Sequence, residues 1–263
     1  MNTFRNMRKK IIVANWKMNL SYAEAMSLTD ALVDSADDLG HCSVILAAPF
    51  VYLHDLVSRI QSHPDFSIAA QNCYSEEKGA YTGEISASML ASIGVEHVII
   101  GHSERRTIFK EDDLLLAQKI NKVLEHGIIP IFCCGEDLSH RKSGQHFAMI
   151  ENQLSKGLFH IDKKIISECI IAYEPVWAIG TGINASADNV QEMHSFIRQK
   201  IKEKYNDNIS EQISIIYGGS VSQKNAEEIF TCADVDGGLV GGASLKSDEF
   251  LSIIQSMNSF FLK

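Results

Sequence analysis

The chain has 263 residues, of which 45% are hydrophobic and 22% are charged, and its formal net charge is −9. This composition is typical of a folded globular protein, and the acidic balance argues against nucleic acid or an anionic membrane as the main partner. No apolar run approaches the roughly 18 residues of a membrane-spanning helix. The six cysteines include no C-x-x-C pair, which favours reduced, buried thiols and a cytoplasmic protein.

The N-terminal segment is basic, but it has neither the apolar core nor the cleavage site of a secretory signal peptide. Only four prolines occur in the whole chain, and no low-complexity linker divides it. We therefore expect residues 1–263 to form a single domain, in which residues 1–6 are a disordered extension. Either Met1 or Met7 would then be the native start.

Short apolar runs, most of them rich in Ile and Val, recur along the chain and predict strands of a parallel sheet that is covered on both faces. Their positions are 10–14, 43–48, 67–70, 97–100, 128–133, 170–173, 213–217 and 235–240. Helix-like stretches lie between them, the clearest at 22–39, 114–126, 145–158, 187–204, 223–231 and 247–261. Eight strands alternating with helices indicate an α/β protein with a single (β/α)8 barrel, and an open doubly wound sheet is the alternative.

Reactive side chains and glycines follow five of the predicted strands. In a barrel, the segments after the strands meet at one face, where active sites lie. These segments are Asn15-Trp16-Lys17 after the first strand, residues 101–106 after the fourth, Glu174 after the sixth, Gly218-Gly219-Ser220 after the seventh and residues 241–244 after the eighth. Together they provide a carboxylate, an imidazole, a lysine and two glycine-rich turns.

The two glycine-rich turns predict a phosphate site. Each leaves a strand and enters a helix-like stretch, and glycines allow backbone N–H groups and a helix N-terminus to approach an anion closely. The turns after strands seven and eight are the usual phosphate-binding place in such barrels. The alternative is that Gly-Gly only permits tight turns here.

Glu174 stands at the tip of an apolar run and is followed at once by Pro175. A carboxylate at a strand end is well placed for chemistry, and Pro175 favours an extended backbone before it. Residues 176–179, which we call the flap, lie between Pro175 and the glycines Gly180 and Gly182, so the flap could close over a ligand. The alternative is an ordinary loop with a solvated Glu174. The nearby G-x-G-x-x-A pattern begins too far from the strand for dinucleotide binding.

The chain resembles the triosephosphate isomerase family over essentially its whole length, and hence a TIM barrel. The matching motifs, in order, are NWKMN at 15–19, AQNC at 70–73, GAYTGEIS at 79–86, GHSERR at 101–106, CCGE at 133–136, AYEPVWAIGTG at 172–182, YGGSV at 217–221 and GGLVGGASL at 237–245. The resemblance implies interconversion of D-glyceraldehyde 3-phosphate and dihydroxyacetone phosphate through an enediolate, with no cofactor and no metal.

The resemblance also implies a role for each site residue. Glu174 would be the base, His102 a neutral donor at the start of a short helix at 104–109, and Lys17 a positive charge near the phosphate and the developing oxyanion. Asn15 would orient the substrate and Glu104 would support these groups. The phosphate would contact Gly180, Ser220, Gly241 and Gly242.

A homodimer is a further implication of the resemblance. The polar loop at residues 72–84 would insert into the partner subunit and bring Thr82 to the partner's active site, whereas an isolated barrel does not need so long an excursion. A mobile surface loop is the alternative.

Other functions fit the sequence less well. Another phosphosugar isomerase or aldolase would share the glycine turns but not the Asn-x-Lys, His and Glu set. Loss of Glu174, His102 or Lys17 would suggest a noncatalytic scaffold or surface adhesin, and all three are present. The ten histidines contain no H-E-x-x-H or comparable metal-ligand spacing, which disfavours a metal hydrolase.

Overall fold

The computed structural model describes residues 8–35, 42–180 and 184–258. The expected extension at residues 1–6 lies outside the described residues. So do Gly182 and the distal ends of the predicted helices at 22–39 and 247–261.

Eight parallel strands form a closed barrel in sequence order. The first and last strands pair with each other, with Ile11 opposite Gly237, so the barrel prediction is confirmed and the open sheet is excluded. The strands are β1 (Lys10–Asn15), β2 (Cys42–Ala48), β3 (Phe66–Ala70), β4 (His97–Ile100), β5 (Ile129–Cys134), β6 (Ile170–Tyr173), β7 (Ser214–Tyr217) and β8 (Gly237–Val240).

Helices connect the strands and surround the barrel. The predicted stretch at 187–204 matches α8 residue for residue, and Ser186 accepts a hydrogen bond from Asn189 N at its start. The described helices are α1 (Tyr22–Val33), α2 (Leu53–Ile60), α3 (Ala87–Ser92), α4 (Ser103–Ile108), α5 (Asp113–Glu125), α6 (Leu138–Lys142), α7 (His146–Gly157), α8 (Ala187–Lys204), α9 (Asp207–Ser210), α10 (Ala226–Thr231) and α11 (Ser247–Asn258). In this part of the chain no helix is both long and apolar enough to cross a membrane.

The strands bury both faces, which explains why their apolar runs are continuous. In β1, Ile11 and Val13 join the cluster inside the barrel, whereas Ile12 and Ala14 pack outward against the helices. In β5, Cys133 likewise lies inside the barrel and Cys134 packs outward, because successive strand residues point to opposite faces.

A buried ion cluster closes the amino-terminal end of the barrel where β8 meets β1. The wholly buried Asp236 accepts from Lys10 Nζ at 3.0 Å and from Arg198 Nη2 at 2.7 Å, and Arg8 Nε lies 3.1 Å from it. Burial alone would raise the pKa of Asp236, but Arg198, Lys10 and Arg8 hold it below its ordinary value. The cluster therefore ties the first strand to the last at the end opposite the predicted site.

Candidate active site

A cavity of about 480 Å³ opens at the carboxyl ends of the strands. It brings together residues from segments far apart in the sequence, as the barrel predicts. Every predicted site residue except Thr82 lines this cavity. The complete lining is Asn15, Lys17, His102, Glu104, Glu174, Ile179, Gly180, Gly218, Gly219, Ser220, Val221, Ser222, Leu239, Gly241, Gly242 and Ala243. Thr82 instead lies on an exposed turn.

Glu174 is the most deeply placed charged group of this cavity, at 1% exposed. Its backbone N–H donates to Cys134 O at 2.8 Å, which continues the β5–β6 ladder. Its carboxylate Oε2 accepts from Ser103 N at 2.8 Å. A Cβ at Gly218 would come within 2.8 Å of Glu174 Cγ, so only a glycine there leaves room. The alternative of a solvated Glu174 is wrong.

His102 follows β4 and caps α4, which begins one residue earlier than predicted, at Ser103. Its Nδ1 accepts from Glu104 N at 3.2 Å. A backbone amide can only donate, so this contact requires an Nδ1 without a hydrogen and favours the tautomer that carries its hydrogen on Nε2. That Nε2 lies 3.0 Å from Glu174 Oε1, although the two atoms are not aligned as a hydrogen bond.

Lys17 adopts a left-handed backbone conformation, with φ +53°, and the side chains of Asn15 and Gln71 hold its backbone there. Its N–H donates to Asn15 Oδ1 at 3.1 Å, and its carbonyl accepts from Gln71 Nε2 at 2.8 Å. The ammonium lies 2.6 Å from Glu104 Oε1. Lys17 and Glu104 therefore form an ion pair at the rim of the cavity, beside His102.

The two glycine-rich turns form the other side of the cavity. After β8, Gly242–Leu245 is a 3₁₀ turn, and the first amides of such a turn point away from it and can bind an anion. After β7 the prediction is wrong in one respect, because Gly218-Gly219-Ser220 does not lead directly into a helix. Ser222 N donates to Asn225 Oδ1 at 2.7 Å, and this turn delays α10 to Ala226.

The flap begins with a 3₁₀ turn, Val176–Ala178, that is anchored to one buried carboxylate. Trp177 Nε1 donates to Glu136 Oε1 at 2.9 Å and Tyr173 Oη donates to the same atom at 3.0 Å. Burial raises the pKa of Glu136 in spite of these donors. At its far end Gly180 has φ +67°, a conformation that glycine adopts without strain.

A thiol lies beside Glu174 on the inner face of β5. Burial, and then the charge of Glu174, raise the pKa of Cys133 well above its ordinary value, so this thiol remains protonated and is no competing nucleophile. Within the described ranges, no three His, Cys, Asp or Glu side chains are grouped so that they could hold a metal ion.

Four further residues contact or shape this site, and the sequence analysis gave none of them a role of its own. Ser103 N donates to the Glu174 carboxylate, and Gln71 donates to the Lys17 carbonyl. Glu136 accepts from Trp177 of the flap, and Gly218 leaves room for Glu174 Cγ. All four follow strand ends within or beside the quoted motifs, so their position was the available signal.

The cavity combines a buried carboxylate, an imidazole donor, a lysine and two glycine turns. Such a set can move a proton at a carbon next to a carbonyl and stabilise the resulting oxyanion, while the turns bind an anionic group.

Comparisons with known proteins agree with this chemistry. A model of the protein family described as Triosephosphate isomerase matches residues 10–257. A triosephosphate isomerase from Flavobacterium psychrophilum is 49% identical over 254 residues, which cover 95% of this chain and 100% of that protein. Those from Porphyromonas gingivalis and Cytophaga hutchinsonii are 47% and 46% identical, each over 95% of this chain and 100% of its own length. The chain belongs to the triosephosphate isomerase family, and its reaction is the interconversion of triose phosphates.

Proposed function

We propose that this cavity interconverts D-glyceraldehyde 3-phosphate and dihydroxyacetone phosphate through an enediolate, without a cofactor. The observation that carries the proposal is the placement of the buried Glu174 carboxylate 3.0 Å from Nε2 of His102. These are the acid–base partners established for the triosephosphate isomerase family.

Glu174 takes the carbon-bound proton of the substrate and returns it to the neighbouring carbon, while the hydroxyl proton passes from one enediolate oxygen to the other, so that carbonyl and hydroxyl exchange places. A carboxylate is too weak a base for this task unless the enediolate is stabilised. His102 supplies the stabilisation by donating Nε2–H to the developing oxyanion, and Lys17 adds positive charge. Asn15 orients the substrate, and its contact with the Lys17 amide places the two residues relative to each other. Glu104 holds Lys17 through the 2.6 Å ion pair.

The phosphate group binds to Gly180, Ser220, Gly241 and Gly242, with Lys17 as the nearby cation. A Cβ at Gly241 would lie 3.6 Å from Lys17 Cε, so the lysine stem already borders the glycine turn. Because the whole chain carries a net charge of −9, attraction of a dianionic substrate depends on this local lysine and on backbone N–H groups.

The flap closes over the bound substrate, excludes water and protects the enediolate from loss of phosphate. Trp177 reports this motion, because the chain contains two tryptophans and the other, Trp16, is fully buried. We expect 2-phosphoglycolate, a mimic of the enediolate, to change the fluorescence of the wild type. The same addition to Trp177→Phe should change little, and an equal change in both proteins would exclude this flap motion.

The active form is a homodimer in which the loop at residues 72–84 reaches the partner subunit and carries Thr82 to its active site. Tyr74 and Tyr81 brace the loop, since their ring centroids lie 4.8 Å apart. Large apolar side chains stand exposed in the segments that follow β1, β2 and β4, namely Met18 at 95%, Val51 at 78% and Ile108 at 66%. Such exposure favours burial against a second copy.

The compartment we propose is the cytoplasm. Five of the six cysteines, Cys42, Cys73, Cys133, Cys134 and Cys169, are buried thiols, as suits a reducing environment.

The test of the reaction is a coupled assay of glyceraldehyde 3-phosphate isomerisation with a metal chelator and no added cofactor. We expect rapid turnover that 2-phosphoglycolate inhibits competitively. A folded, dimeric sample that shows no turnover would contradict the proposal and favour a noncatalytic scaffold.

A further inference from the structure

One guanidinium joins the carboxyl ends of two neighbouring strands beneath the catalytic pair. Arg106 Nε donates to Gly101 O at 2.8 Å, and Nη2 donates to Cys133 O at 2.9 Å. Its remaining nitrogen, Nη1, donates to Asp113 Oδ1 at 2.6 Å. Only 16% of the Arg106 side chain is exposed, and the residue is not among those that line the cavity.

The two carbonyls belong to the backbone that carries the reacting groups. Gly101 directly precedes His102 and has φ +78°, so its conformation sets where the imidazole leaves β4. Cys133 directly precedes Cys134, whose carbonyl accepts the Glu174 N–H at 2.8 Å. A movement of β4 relative to β5 would therefore change the separation of His102 and Glu174.

The surroundings of Arg106 require a planar, multidentate donor. A guanidinium presents five N–H groups in a fixed fork, whereas a lysine ammonium is a compact point charge. The guanidinium carbon lies 5.6 Å from the centre of the Phe132 ring. A Cβ at Gly101 would come within 2.6 Å of Leu116 Cδ1 and 3.2 Å of Arg106 Nη2, so the junction has no spare room.

We propose that Arg106 is a positioning residue for the isomerisation, which fixes the distance between His102 and Glu174 by clamping β4 to β5. Asp113 neutralises its charge, so Arg106 does not attract the phosphate. The inference rests on the proposed roles of His102 and Glu174. The phosphate-binding turns follow β7 and β8, and loss of the clamp should leave them in place.

The test substitutes Arg106→Lys, which keeps the charge and loses the fork. Arg141→Lys is the matched control, because the Arg141 side chain is 17% exposed and makes a 2.6 Å ion pair with Glu192 but bridges no strand ends. We expect kcat to fall about tenfold to a hundredfold in Arg106→Lys, because misplacement of reacting groups by up to about 1 Å lowers the rate by such a factor. KM and the inhibition constant of inorganic phosphate should change less than about threefold, and Arg141→Lys should keep wild-type kcat.

A second readout separates positioning from general loss of stability. The ¹⁵N NMR signal of His102 Nε2 should shift or broaden in Arg106→Lys and stay unchanged in Arg141→Lys. Equal kcat values in the two variants, or a parallel rise in KM and the phosphate constant, would overturn the inference. If wild type itself lacks turnover, the proposed function fails instead.

If Arg106→Lys does not fold, Asp113→Asn tests the same clamp by weakening its third contact. This variant should lower kcat several-fold with KM unchanged, and an unaltered kcat would count against Arg106 as a positioning residue.

Discussion

Replacement of Gly218 by alanine gives a direct test of how Glu174 is placed. The new Cβ would lie 2.8 Å from Glu174 Cγ and 3.3 Å from Tyr173 O, whereas ordinary contact begins at 3.4 Å. Glu174 Cγ must therefore retreat by about 0.6 Å. Because misplacement by about 1 Å can cost a hundredfold in rate, we expect kcat to fall roughly tenfold, which corresponds to about 1.4 kcal/mol in the barrier.

The assay is initial-rate kinetics, with the inhibition constant of inorganic phosphate and the Tm measured in parallel. The control is Gly94→Ala, whose Cβ would meet Val57 Cγ1 at 3.0 Å and whose φ of +82° adds strain, in the segment between α3 and β4 rather than in the cavity. Both variants should lose stability, by about 1–3 kcal/mol, but only Gly218→Ala should lose kcat. A folded Gly218→Ala enzyme within twofold of wild-type kcat would refute this placement of the base.

Three further substitutions test the catalytic base, the buried ion cluster at the amino-terminal end of the barrel and the dimer interface. Glu174→Asp withdraws the carboxylate by one methylene, so kcat should fall by about a hundredfold or more with phosphate affinity retained; near-normal turnover would remove Glu174 as the base. Asp236→Asn removes the buried counterion that Arg198, Lys10 and Arg8 share, although Arg198 keeps Asp234 at 2.9 Å, so urea unfolding should show a loss of about 3 kcal/mol; a loss below about 1 kcal/mol would contradict the cluster's role. Met18→Glu places a charge on the proposed interface and should yield monomers in sedimentation, whereas an unchanged dimer would exclude this surface.

The pH dependence of stability follows from the same cluster. The pKa of Asp236 is lower in the folded protein than its ordinary value. Its contribution is therefore fully present above the ordinary aspartate pKa and is lost as the pH falls towards the lowered one. Wild type should lose more stability than Asp236→Asn between about pH 5 and pH 3. Parallel losses in the two proteins would show that Asp236 is not held in its charged form.

Local sequence pattern predicted the barrel because each strand is a short, continuous apolar run that is buried on both faces. The bounds of β4 and β6 agree with prediction at both ends. Prediction placed the start of the helix at 223–231 too early, because the Asn225 side chain caps Ser222 N and holds residues 222–225 in a turn. The residue identities alone do not reveal that competition between a side chain and a helical turn.

The placement of a site residue was predictable where the residue lies at a strand tip, as His102 and Glu174 do. The placement was not predictable for a residue that supports the site only by holding the backbone of another segment. Gln71 and Arg106 bond carbonyls of segments 54 and 27 positions away in the chain, and such contacts exist only once the strands lie side by side. A neutral His102 was expected from the helix dipole and stays a prediction, and the hydrogen bond from Glu104 N to Nδ1 is the contact that the sequence did not reveal.

The most direct test of the mechanism is isomerisation of dihydroxyacetone phosphate in D₂O, with the product glyceraldehyde 3-phosphate trapped and analysed by NMR. Proton transfer through an enediolate by Glu174 predicts deuterium at carbon 2 of the product, because the carboxyl proton exchanges with solvent before its return. Rapid turnover that leaves carbon 2 free of deuterium would contradict proton transfer by a Glu174 carboxyl that exchanges with solvent.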